Sequence, residues 1–217
     1  MKADLHVHTC YSQDGRSTPQ QVVETAKARG IKCIAITDHN SFEAYKEVID
    51  NGEVIIIPAE EVSSSKGHIV ALGIDRFIER GLSVEETVKR IHEAGGLAIV
   101  AHPYRPFNGL GPKNIIPEFD GIEALNARSK KHGNGLSLKL AKEYGKIITA
   151  GSDAHIPKYI GDGYIEMRDC STWQEVIEEL KSCRQVVPHS KNHSTLANIW
   201  FNVKTFFCWT FRGFRNM

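Results

Sequence analysis

The chain has 217 residues, of which 41% are hydrophobic, and its formal net charge is +1. This length suits one domain, with or without a tail, and the near-neutral charge gives no global indication of nucleic-acid binding. The five scattered cysteines lack C-x-x-C spacing, which excludes a disulfide framework and leads us to expect a reducing, cytoplasmic environment. Asp4 and His6 interrupt the N-terminal segment, which excludes a signal-peptide pattern there.

Short apolar runs alternate with helix-forming segments along the chain. Thr18 and Pro19 suit the cap and first position of a helix, and Ser83 with Glu86 forms a capping-box pattern before another. In chain order, the predicted elements are a strand over 2–7, a helix over 18–29, a strand over 33–37, a helix over 41–51, strands over 54–58 and 68–73, a helix from 83, strands over 97–101 and 121–125, a helix over 136–144, a strand over 147–150 and a helix from 172. Such alternation predicts a parallel sheet with right-handed crossovers, either a barrel or an open sheet. No GxGxxG or P-loop motif follows the first strand, which disfavours a nucleotide-binding open sheet.

Histidines and carboxylates recur where the predicted strands end. His6 and His8 lie two residues apart in the first strand, so both side chains should project from one face, with Leu5 and Val7 on the other. The carboxyl ends of parallel strands carry the active site in α/β folds, so the polar residues after the other strands should converge there. Mixed imidazole and carboxylate ligands suit Zn, Mn or Fe.

The order of these motifs carries a family resemblance. The chain contains His6-x-His8, Thr37-Asp38-His39, Glu61-Val62-Ser63, Ala101-His102-Pro103 and Gly151-Ser152-Asp153-Ala154-His155. Together they resemble the PHP (polymerase and histidinol phosphatase) superfamily over about residues 1–188. The resemblance implies an α/β fold, a distorted (β/α)7 TIM-like barrel, with a two- or three-metal site at the C-terminal ends of the strands that hydrolyses phosphate esters.

The resemblance also implies a set of metal ligands. His6, His8, Glu61 and Asp153 would hold one ion, Glu61 would bridge to a second held by His68 and His102, and Asp14, His39 and His155 would hold a third. Some members have histidine at the positions of Asp14 and Asn126. Glu60 is the rival of Glu61, and strand alternation allows only one of them to face the site. Asp4 and Asp38 are expected to orient imidazoles from behind, and His132 is interpreted as a solvated loop residue.

These residues predict a hydrolase, a metal-dependent phosphoesterase with two or three divalent ions. It would act through a metal-bound hydroxide on a small phosphomonoester or nucleotide, with a short oligonucleotide as a further candidate. Arg105 and Arg128 follow two strand ends, and their guanidinium groups suit a phosphate or a substrate carboxylate. Two alternatives remain open, an amidohydrolase-type metal-dependent hydrolase and a non-catalytic metal-binding module.

Residues 189–217 differ in composition from the predicted barrel. This tail is aromatic and basic, and it is too short and too interrupted by polar residues to span a bilayer. We expect a helix packed on the barrel, with a homodimer contact or a weak membrane contact as alternatives. The apolar positions at helical spacing are Leu196, Ile199, Trp200, Val203, Phe206 and Phe207.

Overall fold

The computed structural model describes residues 1–48, 52–182 and 186–191, and the predicted helix over 196–207 lies outside them. The strands are β1 (Lys2–Val7), β2 (Cys33–Ile36), β3 (Ile55–Ser63), β4 (His68–Leu72), β5 (Leu97–Val100), β6 (Gly121–Asn126), β7 (Ile147–Gly151), β8 (Gly163–Glu166) and β9 (Val187–Ser190). The helices are α1 (Pro19–Ala28), α2 (Glu43–Glu47), α3 (Val84–Glu93), α4 (Lys131–Glu143) and α5 (Trp173–Lys181). The described helices include none long and apolar enough to cross a membrane.

The strands form one sheet in the order β7-β6-β5-β4-β3-β2-β1-β8-β9. Strands β1, β2 and β3 pair in parallel, as do β5, β6 and β7. The sheet curls until its two sides nearly meet, which confirms the α/β barrel prediction, although the count of seven β/α units is not confirmed. Strand β9 spans the predicted domain boundary at residue 188, and the division into a barrel and a tail stays a prediction.

Closure of the barrel depends on the edge of β1 that faces away from β2. The first residues of β1 pair with the antiparallel strand β8, whereas Val7 forms a bridge with Ala154 beyond the end of β7. Two backbone hydrogen bonds complete this seam, from Asp153 N to His6 O (2.7 Å) and from His8 N to Ala154 O (2.9 Å). A Cβ at Gly151 would lie 2.2 Å from the Cβ of His6, so only glycine permits this close approach.

Strand β4 runs against the predicted parallel direction. It is antiparallel to both neighbours, with Ser63 opposite His68 in the turn from β3. The physical reason is chain length, because the segment between β3 and β4 is far too short for the crossover that a parallel pair needs. The reversal brings the first residue of β4 to the same edge of the sheet as the last residues of β3 and β5.

Three apolar clusters fix the layers. The first cluster fills the barrel with residues from most strands and packs against α5. The second lies between the sheet and helices α3 and α4. The third lies between strands β1–β3 and helices α1 and α2. Leu5 belongs to the interior cluster and Val7 to the one beneath α1, so the prediction that they share a face was wrong. The reason is a register shift between Asp4 and Val7 in the pairing of β1 with β2.

Helix α4 begins five residues before its predicted start at Leu136. The first turn was not predicted because it contains three weak helix formers, Gly133, Asn134 and Gly135. Tertiary contacts hold that turn, because the Asn134 amide donates to Asn126 O at 3.0 Å and accepts from Asn126 N at 3.2 Å. The helix is therefore anchored directly to the end of β6.

Candidate metal centre

The residues predicted as metal ligands converge at one end of the barrel. They come from the carboxyl ends of the parallel strands and from the amino end of the reversed strand β4. Four groups of three residues offer ligand atoms within 4.8 Å of one another. The groups are His6, His8 and Glu61; His6, His102 and Asp153; His39, Glu61 and His68; and His8, His39 and His155. Asp14 completes the cluster through an ion pair with His155, Nε2 to Oδ2 at 2.9 Å.

Glu61 is the hub of the cluster. Its carboxylate is 1% exposed, and its oxygens lie 2.8–3.2 Å from ring nitrogens of five histidines. Burial would raise the pKa of this carboxyl, but the surrounding imidazoles hold it well below its usual range. One oxygen faces three of these imidazoles and the other faces two, so the carboxylate is suited to bridge two cations. The five histidines are His6, His8, His39, His68 and His102.

Strand alternation separates Glu61 from Glu60, as the sequence required. Glu60 is also buried, but it points away from the cluster and accepts a hydrogen bond from Ile78 N at 2.9 Å. Burial raises the pKa of the Glu60 carboxyl to about 8, so the group is mostly protonated at neutral pH. Of the two glutamates, only Glu61 is placed to serve as a ligand.

The two histidines of the first motif face each other in a way that requires a cation. Nδ1 of His6 donates to Glu123 Oε1 at 2.9 Å, and Nδ1 of His8 lies 3.0 Å from Ser12 Oγ, whose own hydroxyl donates to Asp38. Both Nδ1 protons are thereby committed, which leaves a lone pair on each Nε2. These Nε2 atoms are 3.1 Å apart, so a proton or a metal ion must lie between them.

The carboxylates around these two imidazoles likewise favour positive charge at this position. Burial would lower the pKa of both rings, yet nearby carboxylates raise the pKa of His6 well above its usual value. Hydrogen bonds to Asp153 and Glu61 raise the pKa of His8 to about 9 against the same opposing effect of burial. A divalent ion would satisfy the pair without protonating either ring.

On the other side of Glu61, His39 and Asp14 present unused ligand atoms. Oδ1 of Asp14 is buried and has no hydrogen-bond partner among the described residues, and Nδ1 of His39 lies 3.1 Å from Glu61 Oε2 without forming an aligned hydrogen bond. Burial lowers the pKa of His39 to about 3, which keeps its ring neutral and able to donate a lone pair. Orphaned, unprotonated ligand atoms of this kind fit a divalent cation.

Asp153 is held by two arginines as well as by the histidines. Arg105 Nη2 lies 2.5 Å from Asp153 Oδ2, and Arg128 Nη1 lies 3.1 Å from Oδ1. Burial opposes ionisation of Asp153, but the two guanidinium groups keep its pKa well below the usual range. Both arginines therefore reach the cluster with their charged ends.

Backbone strain is concentrated at this end of the barrel. The residues other than glycine with positive φ in the described part of the chain are Asn40, His102, Phe107 and Asp153, with φ of 50°, 27°, 73° and 52°. All four lie in segments that follow strands at the cluster. Such conformations cost free energy and persist where the surrounding structure needs a particular side-chain position.

Glu123 is a site residue that the sequence analysis missed. It lies in β6, is 3% exposed, and accepts hydrogen bonds from the His6 ring and from His102 N at 2.9 Å each. Asn126 Nδ2 donates to Glu123 and to Asp153 Oδ2, all at 3.1 Å. The available signal was a single acidic residue inside the apolar run Gly-Ile-Glu-Ala-Leu.

Of the two outer carboxylates, Asp38 is linked to an imidazole as predicted, whereas Asp4 is not. Asp38 accepts from Ser12 and Thr9, so it reaches His8 only through the Ser12 hydroxyl. Asp4 binds backbone amides, with Ser152 N and Gly161 N at 2.8 Å each, and holds the barrel seam rather than an imidazole. His132 is exposed in the first turn of α4 rather than in a loop.

Comparison with known sequences gives the family context. The family model described as PHP domain matches residues 4–189. An uncharacterized protein of Methanocaldococcus jannaschii is 38% identical over 155 residues, which covers 65% of this chain and 89% of that protein. A probable histidinol-phosphatase of Thermotoga maritima is 26% identical over 222 residues, covering 82% of this chain and 91% of that protein.

Solved structures share the barrel. A two-domain protein from Bacteroides vulgatus, described as containing a predicted PHP-like metal-dependent phosphoesterase, superposes with a TM-score of 0.68 at 17% identity. The match covers 88% of this chain and 64% of that one. Endonuclease Q in complex with a 27-mer duplex carrying an abasic lesion gives a TM-score of 0.62 at 18% identity, covering 85% of this chain and 57% of that one. The chain thus spans less than two thirds of either structure, and at these identities the likeness shows a shared fold.

Proposed function

The chain belongs to the PHP domain family, whose model matches residues 4–189, and from that premise we propose that it is a metal-dependent phosphoesterase. We propose that it hydrolyses the phosphate ester of a small phosphomonoester or a nucleotide. The family and the His/Glu cluster fit a hydrolase that uses divalent metals. Two or three ions of Mn, Zn or Fe suit a cluster rich in imidazole and carboxylate.

One observation carries the proposal. The Nε2 atoms of His6 and His8 face each other at 3.1 Å while both Nδ1 atoms are bound elsewhere, and Glu61 lies beside both. Without an ion the two Nε2 atoms need an added proton between them, whereas one divalent ion would bind both lone pairs and the carboxylate together. Convergence of this kind is typical of a metal site.

The residues around the ions have separable tasks. Bound divalent ions would supply the nucleophile at neutral pH and offset negative charge on the phosphoryl and leaving oxygens. Arg105 and Arg128 would hold the remaining phosphate oxygens, since both guanidinium groups already lie at Asp153. Asp38 and Ser12 would fix the His8 ring, and Glu123 would fix the His6 ring.

The names of the similar proteins support two kinds of substrate. The Thermotoga maritima relative is named for a phosphomonoester, and endonuclease Q was solved with DNA. Both kinds present a phosphate with at least two non-bridging oxygens, which is the group that the arginines and ions would recognise. The phosphate ester is therefore the shared element of the proposal.

Metal analysis and turnover test the proposal together. The full-length chain, purified without chelators, should contain two or three equivalents of Mn, Zn or Fe and should hydrolyse p-nitrophenyl phosphate. Dialysis against EDTA should remove the activity, and added Mn²⁺ or Zn²⁺ should restore it. Metal without any phosphatase activity would favour the non-catalytic module, and hydrolysis restricted to amide or lactone substrates would favour the amidohydrolase alternative.

A further inference from the structure

Phe107 is exposed at the tip of the segment that follows β5. Its exposure is 108%, against 53% or less for the other large hydrophobic residues that are exposed in the described structure. It also has a φ of +73°, a left-handed conformation that strongly disfavours bulky side chains. Glycine or asparagine would adopt this conformation at lower cost.

The fold gains nothing from the aromatic ring that would offset this strain. A ring with complete exposure buries no apolar surface, so the hydrophobic effect does not favour phenylalanine here. Strained, exposed residues of this kind occur mainly where a ligand or partner uses them. The position of the ring decides which ligand could do so.

Phe107 lies between two residues that contact the metal centre. Two positions before it, Arg105 reaches Asp153 Oδ2 at 2.5 Å. The carbonyl of the next residue, Asn108, accepts a hydrogen bond from His68 N at 3.0 Å. The backbone on both sides of Phe107 is therefore held at the rim of the cluster, close to Asp153 and His68.

The segments that adjoin the loop of Phe107 are rich in basic residues. Three segments meet there, because a Cβ at Gly67 would lie 2.6 Å from Leu110 Cα and one at Gly133 would lie 3.5 Å from Tyr104 Cβ. These segments are the β3–β4 turn (64–67), the β5 loop (102–114) and the β6 loop together with the first turn of α4 (127–133), and none of them contains Asp or Glu. They carry Lys66, Arg105, Lys113, Arg128, Lys130 and Lys131.

An exposed aromatic ring beside basic segments is the arrangement that binds single-stranded nucleic acid. The ring offers a stacking face to a base, and the cations bind phosphates. A small aliphatic phosphate would leave the ring and most of these cations unused. We propose that Phe107 is a specificity-determining residue that stacks on the nucleobase of a nucleotide or of a single-strand end, an inference that rests on the proposed phosphoesterase function.

The test compares two esters and three substitutions. Phe107→Leu keeps an apolar side chain and the backbone strain but removes the aromatic face, whereas Phe107→Trp keeps the face. Phe77→Ala is the matched control, since Phe77 is 48% exposed and lies on the loop after β4. The substrates are adenosine monophosphate and glycerol phosphate, assayed with the metal-loaded full chain.

Phe107→Leu should lower kcat/KM for adenosine monophosphate roughly 5- to 150-fold, mainly through KM, and leave glycerol phosphate within about twofold. Phe107→Trp and Phe77→Ala should behave as the parent on both esters. Melting temperatures should not fall in any Phe107 variant, because the ring has no packing to lose. An equal loss on both esters, or no loss on either, would overturn the inference while leaving the phosphoesterase proposal intact.

A binding measurement decides the case in which neither ester is turned over. The probe is a fluorescein-labelled single strand of deoxythymidines, titrated with the full chain in the presence of Mn²⁺. Phe107→Leu should weaken its binding at least fivefold, and Phe107→Trp should not. Equal affinity of parent and Phe107→Leu for this strand would overturn the stacking role, whereas absent turnover by the parent would count against the proposed function.

Discussion

Oε1 of Glu123 lies 2.9 Å from Nδ1 of His6, across the barrel from β6 to β1. The contact fixes the tautomer of His6 and points its Nε2 lone pair at the cluster. The same carboxylate accepts a hydrogen bond from His102 N, so it positions two neighbouring candidate ligands at once. Glu123 is thus a positioning residue that binds these two residues at atoms other than the Nε2 atoms that face the cluster.

Glu123→Gln should weaken metal binding while preserving the fold. The amide keeps the size of the side chain but removes the charge that supports His6, and loss of such a partner typically costs 10- to 100-fold in metal affinity. Competition titration with a chromogenic chelator would measure the change. Glu118→Gln alters an exposed glutamate in the loop before β6 and should leave affinity unchanged.

Asp153→Ala and His8→Ala should each abolish phosphate-ester hydrolysis and leave a folded barrel. Both side chains are proposed ligands rather than outer support, so the loss of metal affinity should exceed the roughly 100-fold expected for an outer partner. Circular dichroism would check the fold and metal analysis the content. His92→Ala is the control, because His92 lies on α3 and pairs with Asp120 away from the cluster. Full activity in His8→Ala would remove the His6–His8 pair from the chemistry.

Metal removal should destabilise the protein measurably. An ion present at about 100 times its dissociation constant adds roughly 2.7 kcal/mol of stability. Each kcal/mol shifts the melting temperature of a domain of this size by about 2–4 °C. Differential scanning calorimetry with EDTA, Zn²⁺ or Mn²⁺ would test this. Ca²⁺ should have much less effect because it prefers oxygen ligands to imidazole.

Arg105→Ala should mainly weaken substrate binding. Its guanidinium reaches Asp153 without being a metal ligand, and a hydrogen bond to a charged group contributes about 1.5–3 kcal/mol. The expected result is a rise in KM of roughly 10- to 150-fold with the metal content unchanged. Arg76→Ala removes an exposed arginine paired with Asp75 and serves as the control. Unchanged kinetics on every phosphate ester would place Arg105 outside the substrate site.

Deleting residues 195–217 tests the predicted role of the tail. No candidate ligand follows His155, so metal binding and hydrolysis should persist in the shortened chain. If the tail packs on the barrel as predicted, solubility or melting temperature should fall. Equal solubility and stability would contradict packing, and liposome sedimentation that requires the tail would favour the membrane alternative instead.

The sequence predicted the strand ends better than the strand directions. Apolar runs of four or five residues located most of the parallel strands, and caps at Thr18, Ser83 and Thr172 located three helices, because both signals are local. The antiparallel direction of β4 was missed although the short turn after Ser63 indicated it. Strands β8 and β9 were missed because neither contains a conspicuous apolar run.

The candidate site shows the same division between local and long-range information. Histidines at strand ends were visible because parallel topology brings such ends together. The support of His6 by Glu123 was not, since it joins residues far apart in sequence and depends on the closure of the barrel. The exposure of Phe107 likewise depends on a backbone conformation that residue type alone does not predict.

Bound metal would also hold together the seam between β1 and the segment after β7. His6 and His8 lie on one side of it and Asp153 and His155 on the other, so ions shared between these residues would act as a clasp across the joint. Local opening of the seam would then require dissociation of the bound ions. The amide protons of His8 and Asp153, which bond across the joint, should accordingly exchange with solvent at rates set by metal occupancy. Hydrogen exchange at these two amides would report the loading state of the protein without any substrate.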